Sequence, residues 1–105
     1  MTISKRKEES SAVMEKYPNR IPIIVETDDF ILEKHKYLVP KTISIGEFIQ
    51  LIRKKTNLKP TEAIFFLINN KMPPINAKLY DLYDEEKSEC GFLFIHAKRE
   101  NVFGN

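Results

Sequence analysis

The stretch Arg20-Ile-Pro-Ile-Ile-Val-Glu26 is rich in β-branched residues and predicts a strand. Its alternation is unusual. Ile21, Ile23 and Val25 share one face, while Pro22 and Ile24 occupy the other, so cover is expected on both sides. Lys36-Tyr-Leu-Val-Pro40 repeats the pattern in shorter form, and Pro40, which has no amide hydrogen, ends it. Further on, Ile45, Phe48, Ile49 and Ile52 follow the i, i+3, i+4, i+7 spacing of a core-facing helix. Ser44 and Glu47 form a capping box at its start, Arg53, Lys54 and Lys55 sit where cations favour the helix dipole, and the helix ends by Asn57. Ala63–Ile68 is a continuous apolar run suited to a strand buried on both sides, closed by Asn69-Asn70, which tolerate positive φ. Lys78–Tyr83 predicts a short helix with Leu79, Leu82 and Tyr83 inward, and Gly91–Ala97 a last strand. Ahead of all these, residues 4–17 read as a polar helix with Val13 and Tyr17 one turn apart, stopped by Pro18.

The predicted order is helix, β, β, long helix, β, short helix, β. Such a hairpin, crossing helix and returning strand give an α+β fold of the ubiquitin-like β-grasp type, with an N-terminal helical extension. Residues 1–105 are read as one domain: the helix at 4–17, a β-grasp core at 20–98 and a flexible tail at 99–105.

A chain of 105 residues has room for one core and can bury roughly two thirds of its unfolded surface. One cysteine, Cys90, excludes an internal disulfide, and no Cys/His spacing suits zinc, so a reducing compartment is expected. A net charge of +2 without one dominant basic cluster gives no case for a nucleic-acid partner. Nowhere do 18 uncharged apolar residues run together, so any meeting with a membrane depends on something other than a span. Catalysis has little to stand on. Cys90 lies near Asp84, Glu85, Glu86 and Glu89, a field that disfavours a thiolate, and His35 and His96 are its only imidazole candidates. The acidic residues lack the ligand alternation of a calcium loop, and no phosphate-binding, dinucleotide, zincin or serine-hydrolase motif occurs. The chain is read as no enzyme, and no cofactor or metal is called for.

Recognition fits the pattern better. Leu51 and part of Phe48 are expected to look sideways from the long helix toward the strand Lys36–Pro40. A free strand edge flanked by Tyr37, Val39, Phe48 and Leu51 suits an extended peptide adding itself as a further strand, although the same residues could simply pack on one another.

Several blocks together resemble one known group. They are KYPNRIPIIVE at 16–26, KYLVP at 36–40, IGEF and LIRKK within 45–55, AIFFLINN at 63–70, LYDLY at 79–83, GFLFI at 91–95 and the closing VFG. Their collinear order is similar to that of the autophagy ubiquitin-like modifiers, the group containing the microtubule-associated light chains and the GABA-receptor-associated protein. The resemblance implies that a cysteine protease cleaves after Gly104, removing Asn105. E1-like and E2-like enzymes would then pass the Gly104 carboxylate to the amine of phosphatidylethanolamine. The protein would be cytoplasmic, and would reach autophagosome or other vesicle membranes after lipidation. The resemblance further implies receptor peptides of aromatic-x-x-aliphatic form. An aromatic pocket would be lined by Glu9, Val13, Pro22, Ile24, Lys36, Leu38 and Phe92, and an aliphatic pocket by Tyr37, Val39, Pro40, Ile43, Phe48, Leu51 and Ile52. Arg20, Lys34 and Lys55 would form a charged rim with Lys36, and Phe65 and Leu67 would meet the processing enzymes. Two departures stand out: the family's first short helix is missing or shortened, and the connection Thr27–His35 is shorter than usual. The rival expectation is a ubiquitin-like peptide-binding domain that is never conjugated.

Overall fold

The computed structural model of the chain describes residues 3–101. Its elements run α1 (Ile3–Lys16), β1 (Arg20–Glu26), β2 (Lys36–Pro40), α2 (Ile45–Lys54), β3 (Glu62–Leu67), α3 (Leu79–Glu86) and β4 (Leu93–Asn101). The four strands form one sheet in the order β2-β1-β4-β3. β1 pairs antiparallel with β2 and parallel with β4, while β3 pairs antiparallel with β4. This is the β-grasp arrangement, with α1 added in front.

The first strand explains the architecture. Ile21, Ile23 and Val25 enter the main core with Phe48 and Ile52 of α2, Leu79 and Tyr83 of α3, and Leu93, Ile95 and Ala97 of β4. Ile24 points the other way, into a small second cluster with Cys90 and Phe92, partly covered by Phe94. Both faces of β1 are therefore buried, as its two apolar sets require. Phe48 is fully buried at the centre, edge-on to Tyr37 at 5.7 Å and to Phe66 at 5.5 Å between ring centroids. α2 starts at Ser44 with both arms of the capping box made: Ser44 Oγ accepts from the Glu47 amide, and Glu47 accepts from the Ser44 amide.

α1 is held to the second face by a contact that its apolar pattern does not announce. Val13 is only half-buried and Tyr17 is exposed, whereas Ser10 is 2% exposed and donates from Oγ to the Cys90 carbonyl at 2.7 Å. Met14 packs against the main core, and Tyr83 Oη donates to the Gly91 carbonyl at 2.7 Å beside it. The turn that receives the helix carries Gly91 at φ +83.

Sheet and helix ends differ from the sequence expectation in several places; the last strand, expected from Gly91, starts at Leu93 after the Gly91 turn, and β3 ends at Leu67 rather than Ile68. β4 continues to Asn101, because the backbone of its polar residues Lys98–Asn101 still pairs with Glu62–Phe65 of β3. Residues 99–101 are thus strand rather than the start of a tail. β3 begins one residue earlier than the apolar run, and α3 runs on to Glu86 through acidic residues that face solvent or, for Glu86, meet Lys71 and Asn69. Asn69 and Asn70 adopt positive φ, as their turn requires.

A Cβ at Gly91 would lie 2.2 Å from Ser10 Oγ, on a backbone that already disfavours a side chain. Gly91→Ala is expected to lower unfolding stability by about 3 kcal/mol, measured as a drop in the urea midpoint; an unchanged midpoint contradicts this account of how α1 docks.

Candidate functional site

β2 lies at the edge of the sheet, so one side of its backbone has no strand partner within the described sheet. Its side chains divide between the two faces. Tyr37 and Val39 enter the α2 side, whereas Lys36, Leu38 and Pro40 face the α1 side or solvent.

On the α1 side the structure gathers Glu9, Val13, Pro22, Lys36, Leu38 and Phe92 around one concavity of about 150 Å³. Six of the seven residues expected in the aromatic pocket thus meet. Ile24, the seventh, is buried in the small cluster with Phe92 and Cys90. Two residues not assigned to this pocket also line it, Lys34 and Tyr37. Their placement follows from the loop before β2: Tyr37 Oη donates to the Lys34 carbonyl at 2.7 Å, and the Lys34 ammonium sits 5.4 Å from the Tyr37 ring centroid. Lys36 Nζ binds both carboxylate oxygens of Glu9, at 2.9 and 3.1 Å, joining the strand edge to α1. Both side chains are well exposed, so this pair contributes little to stability. Its effect is to fix a charged lip beside an apolar floor.

On the α2 side the expected set separates into two layers. Tyr37, Val39, Phe48 and Ile52 are buried core residues. Phe48 was expected to look partly sideways; instead its ring fills the space between Tyr37 and Phe66, so it can only form the floor of a site. Ile43 and Pro40 are half-buried, and Leu51, 38% exposed, is the apolar side chain of α2 that reaches solvent. The surface available to a ligand is therefore Leu51, Ile43 and Pro40 over a rigid base.

The rim residues do not cluster. Lys34 stands at the aromatic pocket, Arg20 lines a groove with Met14, Lys41 and Tyr80, and Lys55 lines another with Phe30, Ile31 and Arg99. Arg20 also donates to the Leu38 carbonyl at 3.3 Å, which steadies β2 at its end. Phe65 and Leu67 are half-buried on the face opposite Ile64 and Phe66, and Leu67 lines a shallow basin with Glu26, Phe94, His96 and Lys98. α1 reaches the edge of this basin, where the Arg6 guanidinium lies 5.4 Å from the Phe94 ring centroid. Gly104 and Asn105 lie outside the described residues. Cys90 is buried, with its sulfur 3.0 Å from Ser88 Oγ. Among the described residues no group of His, Cys, Asp and Glu is arranged to hold a metal ion, and no helix is long and apolar enough to cross a membrane.

Three carboxylates around this frame are held below their usual range. The Arg99 amide does so for Asp29, the Ser44 amide for Glu47, and the Lys71 ammonium followed by the Asn69 amide for Glu86. The same Glu86 contact raises Lys71.

These features define a class, a ubiquitin-like protein of the β-grasp type with a helix packed on the outer face of its sheet. A sequence profile described as "Autophagy protein Atg8 ubiquitin like" matches residues 5–104, and the chain belongs to that family. It is 45% identical to Autophagy-related protein 8 of Schizosaccharomyces pombe, over 98% of this chain and 88% of that one. It is 42% identical to Autophagy-related protein 8c of Arabidopsis thaliana, over 97% of this chain and 89% of that one. Among solved structures, Trypanosoma brucei ATG8 superposes with a TM-score of 0.90 at 33% identity, covering 99% of this chain and 93% of the other. Plasmodium falciparum Atg8, solved in complex with a Plasmodium falciparum Atg3 peptide, gives 0.83 at 30% identity, covering 93% and 90%. The protein is an autophagy ubiquitin-like modifier.

The depressed carboxylates set the sign of a pH effect. Groups whose folded pKa lies below the unfolded one add stability above the ordinary carboxylate range, and that stability is lost as pH falls through the folded values. Lys71, raised, loses its share only as pH climbs through its elevated value. The melting temperature is expected to hold near neutrality and fall below about pH 4, with Glu47→Gln and Glu86→Gln each flattening the acid limb. An acid limb of identical slope in both variants contradicts the assignment.

Proposed function

We propose that this protein is joined through Gly104 to the amine of phosphatidylethanolamine, after a cysteine protease removes Asn105 and E1-like and E2-like enzymes activate the new carboxylate. It then gathers receptor peptides of aromatic-x-x-aliphatic form along the β2 edge. The protein acts as a modifier and scaffold rather than as an enzyme. It resides in the cytoplasm until two acyl chains bring it to the autophagosome or another vesicle membrane, each buried methylene contributing about 0.8 kcal/mol.

One observation carries the peptide reading. Successive side chains of an extended strand alternate between faces, so residues three apart point to opposite faces of the sheet it joins. At β2 the two faces are unlike: Glu9, Val13, Pro22, Lys36, Leu38 and Phe92 form a concavity on the α1 side, whereas on the α2 side Tyr37, Val39 and Phe48 are buried and Leu51 is exposed. An aromatic anchor and an aliphatic anchor separated by two residues meet one face each, while main-chain hydrogen bonds follow the free edge. The P. falciparum relative was solved with a peptide, which supports peptide recognition here. Phe65 and Leu67, half-buried on the face of β3 opposite Ile64 and Phe66, are the positions we assign to processing-enzyme contact.

The magnitudes favour the pockets over the rim. Two buried anchors contribute about 1.5–3 kcal/mol each, rim ion pairs from Arg20, Lys34, Lys36 and Lys55 about 0–1 each, and association costs several kcal/mol. Micromolar binding is expected.

Leu51→Ala is the appropriate test of the α2-side pocket, because Leu51 is exposed while Tyr37 and Phe48 belong to the core. The variant should keep its melting temperature and weaken an aromatic-x-x-aliphatic peptide about 5- to 30-fold by calorimetry; unchanged affinity contradicts the pocket. Gly104→Ala tests the handle. With purified protease, E1-like and E2-like enzymes and vesicles containing phosphatidylethanolamine, the parent chain should yield a faster-migrating lipidated band and the variant none. If the parent chain is also left unmodified, the protein is a peptide-docking domain that is never conjugated.

A further inference from the structure

Ile31 is 86% exposed, the largest value among the big apolar side chains of the described residues. A lone exposed isoleucine means little, but this one is not alone. It lines a groove of about 660 Å³ with Phe30 and Leu58, both of which lean partly on the core, and with Lys55, Arg99, Glu33, Thr56 and Asn57. The loop bearing it is pinned at the end of β4: Asp29 accepts from the Arg99 amide at 2.8 Å. Arg99 also pairs with Glu62 at 3.3 Å, where β3 begins opposite Asn101. The loop 27–35, the α2–β3 connection and the end of β4 thus meet at one end of the molecule.

The length of chain beyond β4 determines what must approach that end. Asn101 and Gly104 are three residues apart, so an anchor on Gly104 keeps the bilayer surface within about 10 Å of the end of β4. From this geometry we infer that the surface docking onto the Phe30-Ile31-Leu58 groove is the phospholipid bilayer that carries the anchor. Ile31 enters the interface beneath the headgroups, Lys55 meets lipid phosphates, and Arg99 does so on leaving its partner Glu62. Glu33 sits on the same rim and opposes anionic lipid, so the apolar contact leads and the cations orient it. The short tether supplies the local concentration that one isoleucine and one phenylalanine lack in free solution. The inference rests on lipidation at Gly104, and it adds the face that the lipidated protein turns to the membrane.

The chain has no tryptophan, so a single introduced indole reports its own surroundings. The test uses the full chain with Asn105→Cys coupled to a maleimide-headgroup lipid in phosphatidylcholine vesicles; Cys90 is buried and leaves the new thiol as the accessible one. Ile31→Trp is compared with Met72→Trp, placed at a residue 63% exposed beyond the opposite end of β3. Coupling to the vesicle should blue-shift the indole at position 31 and brominated acyl chains should quench it, with the one at position 72 left unchanged. Hydrogen exchange of the coupled protein without either indole should slow at residues 29–33. Equal quenching at both positions, or exchange in 29–33 unchanged by coupling, overturns the inference. Because coupling here is chemical, failure of the enzymes to lipidate Gly104 is read separately and bears only on the handle.

Discussion

The β1 strand has apolar side chains on both faces, and the whole molecule is arranged to cover them. α2 and α3 close one face over Ile21, Ile23 and Val25. The other face, with Ile24 and Pro22, has no layer of its own within the hairpin, so α1 must be brought back across it. What fixes α1 there is a polar contact, Ser10 Oγ to the Cys90 carbonyl, made possible because Gly91 leaves no Cβ in the way. A buried hydroxyl with a good partner is specific in a way that apolar contact is not. It sets the rotation of α1, and that rotation aims Glu9 and Val13 at β2.

The exposed β2 edge follows from this arrangement. β2 pairs on one side only, and its two faces border different helices. The α1 side has a small concavity with an ion pair at its lip; the α2 side has a hard floor of Tyr37, Phe48 and Ile52 with Leu51 above. The edge is also guarded. Lys36 places a charge on it and Pro40 removes a donor at its end, both of which discourage indiscriminate pairing with other edges. Any strand added to it would be selected by side chains entering the two faces.

Much of this was legible in the sequence where one physical signal acted alone. The double-faced pattern of Arg20–Glu26, the Ser44–Glu47 capping box and the Asn69-Asn70 turn each appear in the structure as their local chemistry requires. The end of β4 was not legible, because Lys98–Asn101 has no apolar alternation and is strand only through backbone pairing with β3. α1 misled for the opposite reason: Val13 and Tyr17 look like its inward pair, yet a serine is the buried residue. Nothing local marks Ser10; the signal lies far along the chain, in the glycine at 91 that makes room for it. Six members of the aromatic pocket came through the family resemblance rather than through periodicity, since a concavity assembled from α1, β1, β2 and the start of β4 has no one-dimensional pattern. Lys34 was missed as a member of it because the loop before β2, not strand alternation, brings it there, while Tyr37, whose ring packs on Phe48 on the α2 side, only borders it.

The two-faced edge has a consequence for what any added strand can present. Backbone pairing fixes the register of such a strand in steps of two, so moving it by one residue exchanges the faces of every side chain. Anchors separated by an even number of positions fall on the same face and leave either the Pro22–Leu38–Phe92 concavity or the Leu51 surface empty. Anchors separated by an odd number fill both. With Phe48 buried and unable to move aside, the α2 face is shallow and suits a branched aliphatic, whereas the concavity lies between two elements, α1 and β2, joined by an exposed ion pair that can open. The unequal depths of the two faces therefore orient the strand as well as select it: the larger side chain belongs where the walls can yield, and the smaller one where they cannot.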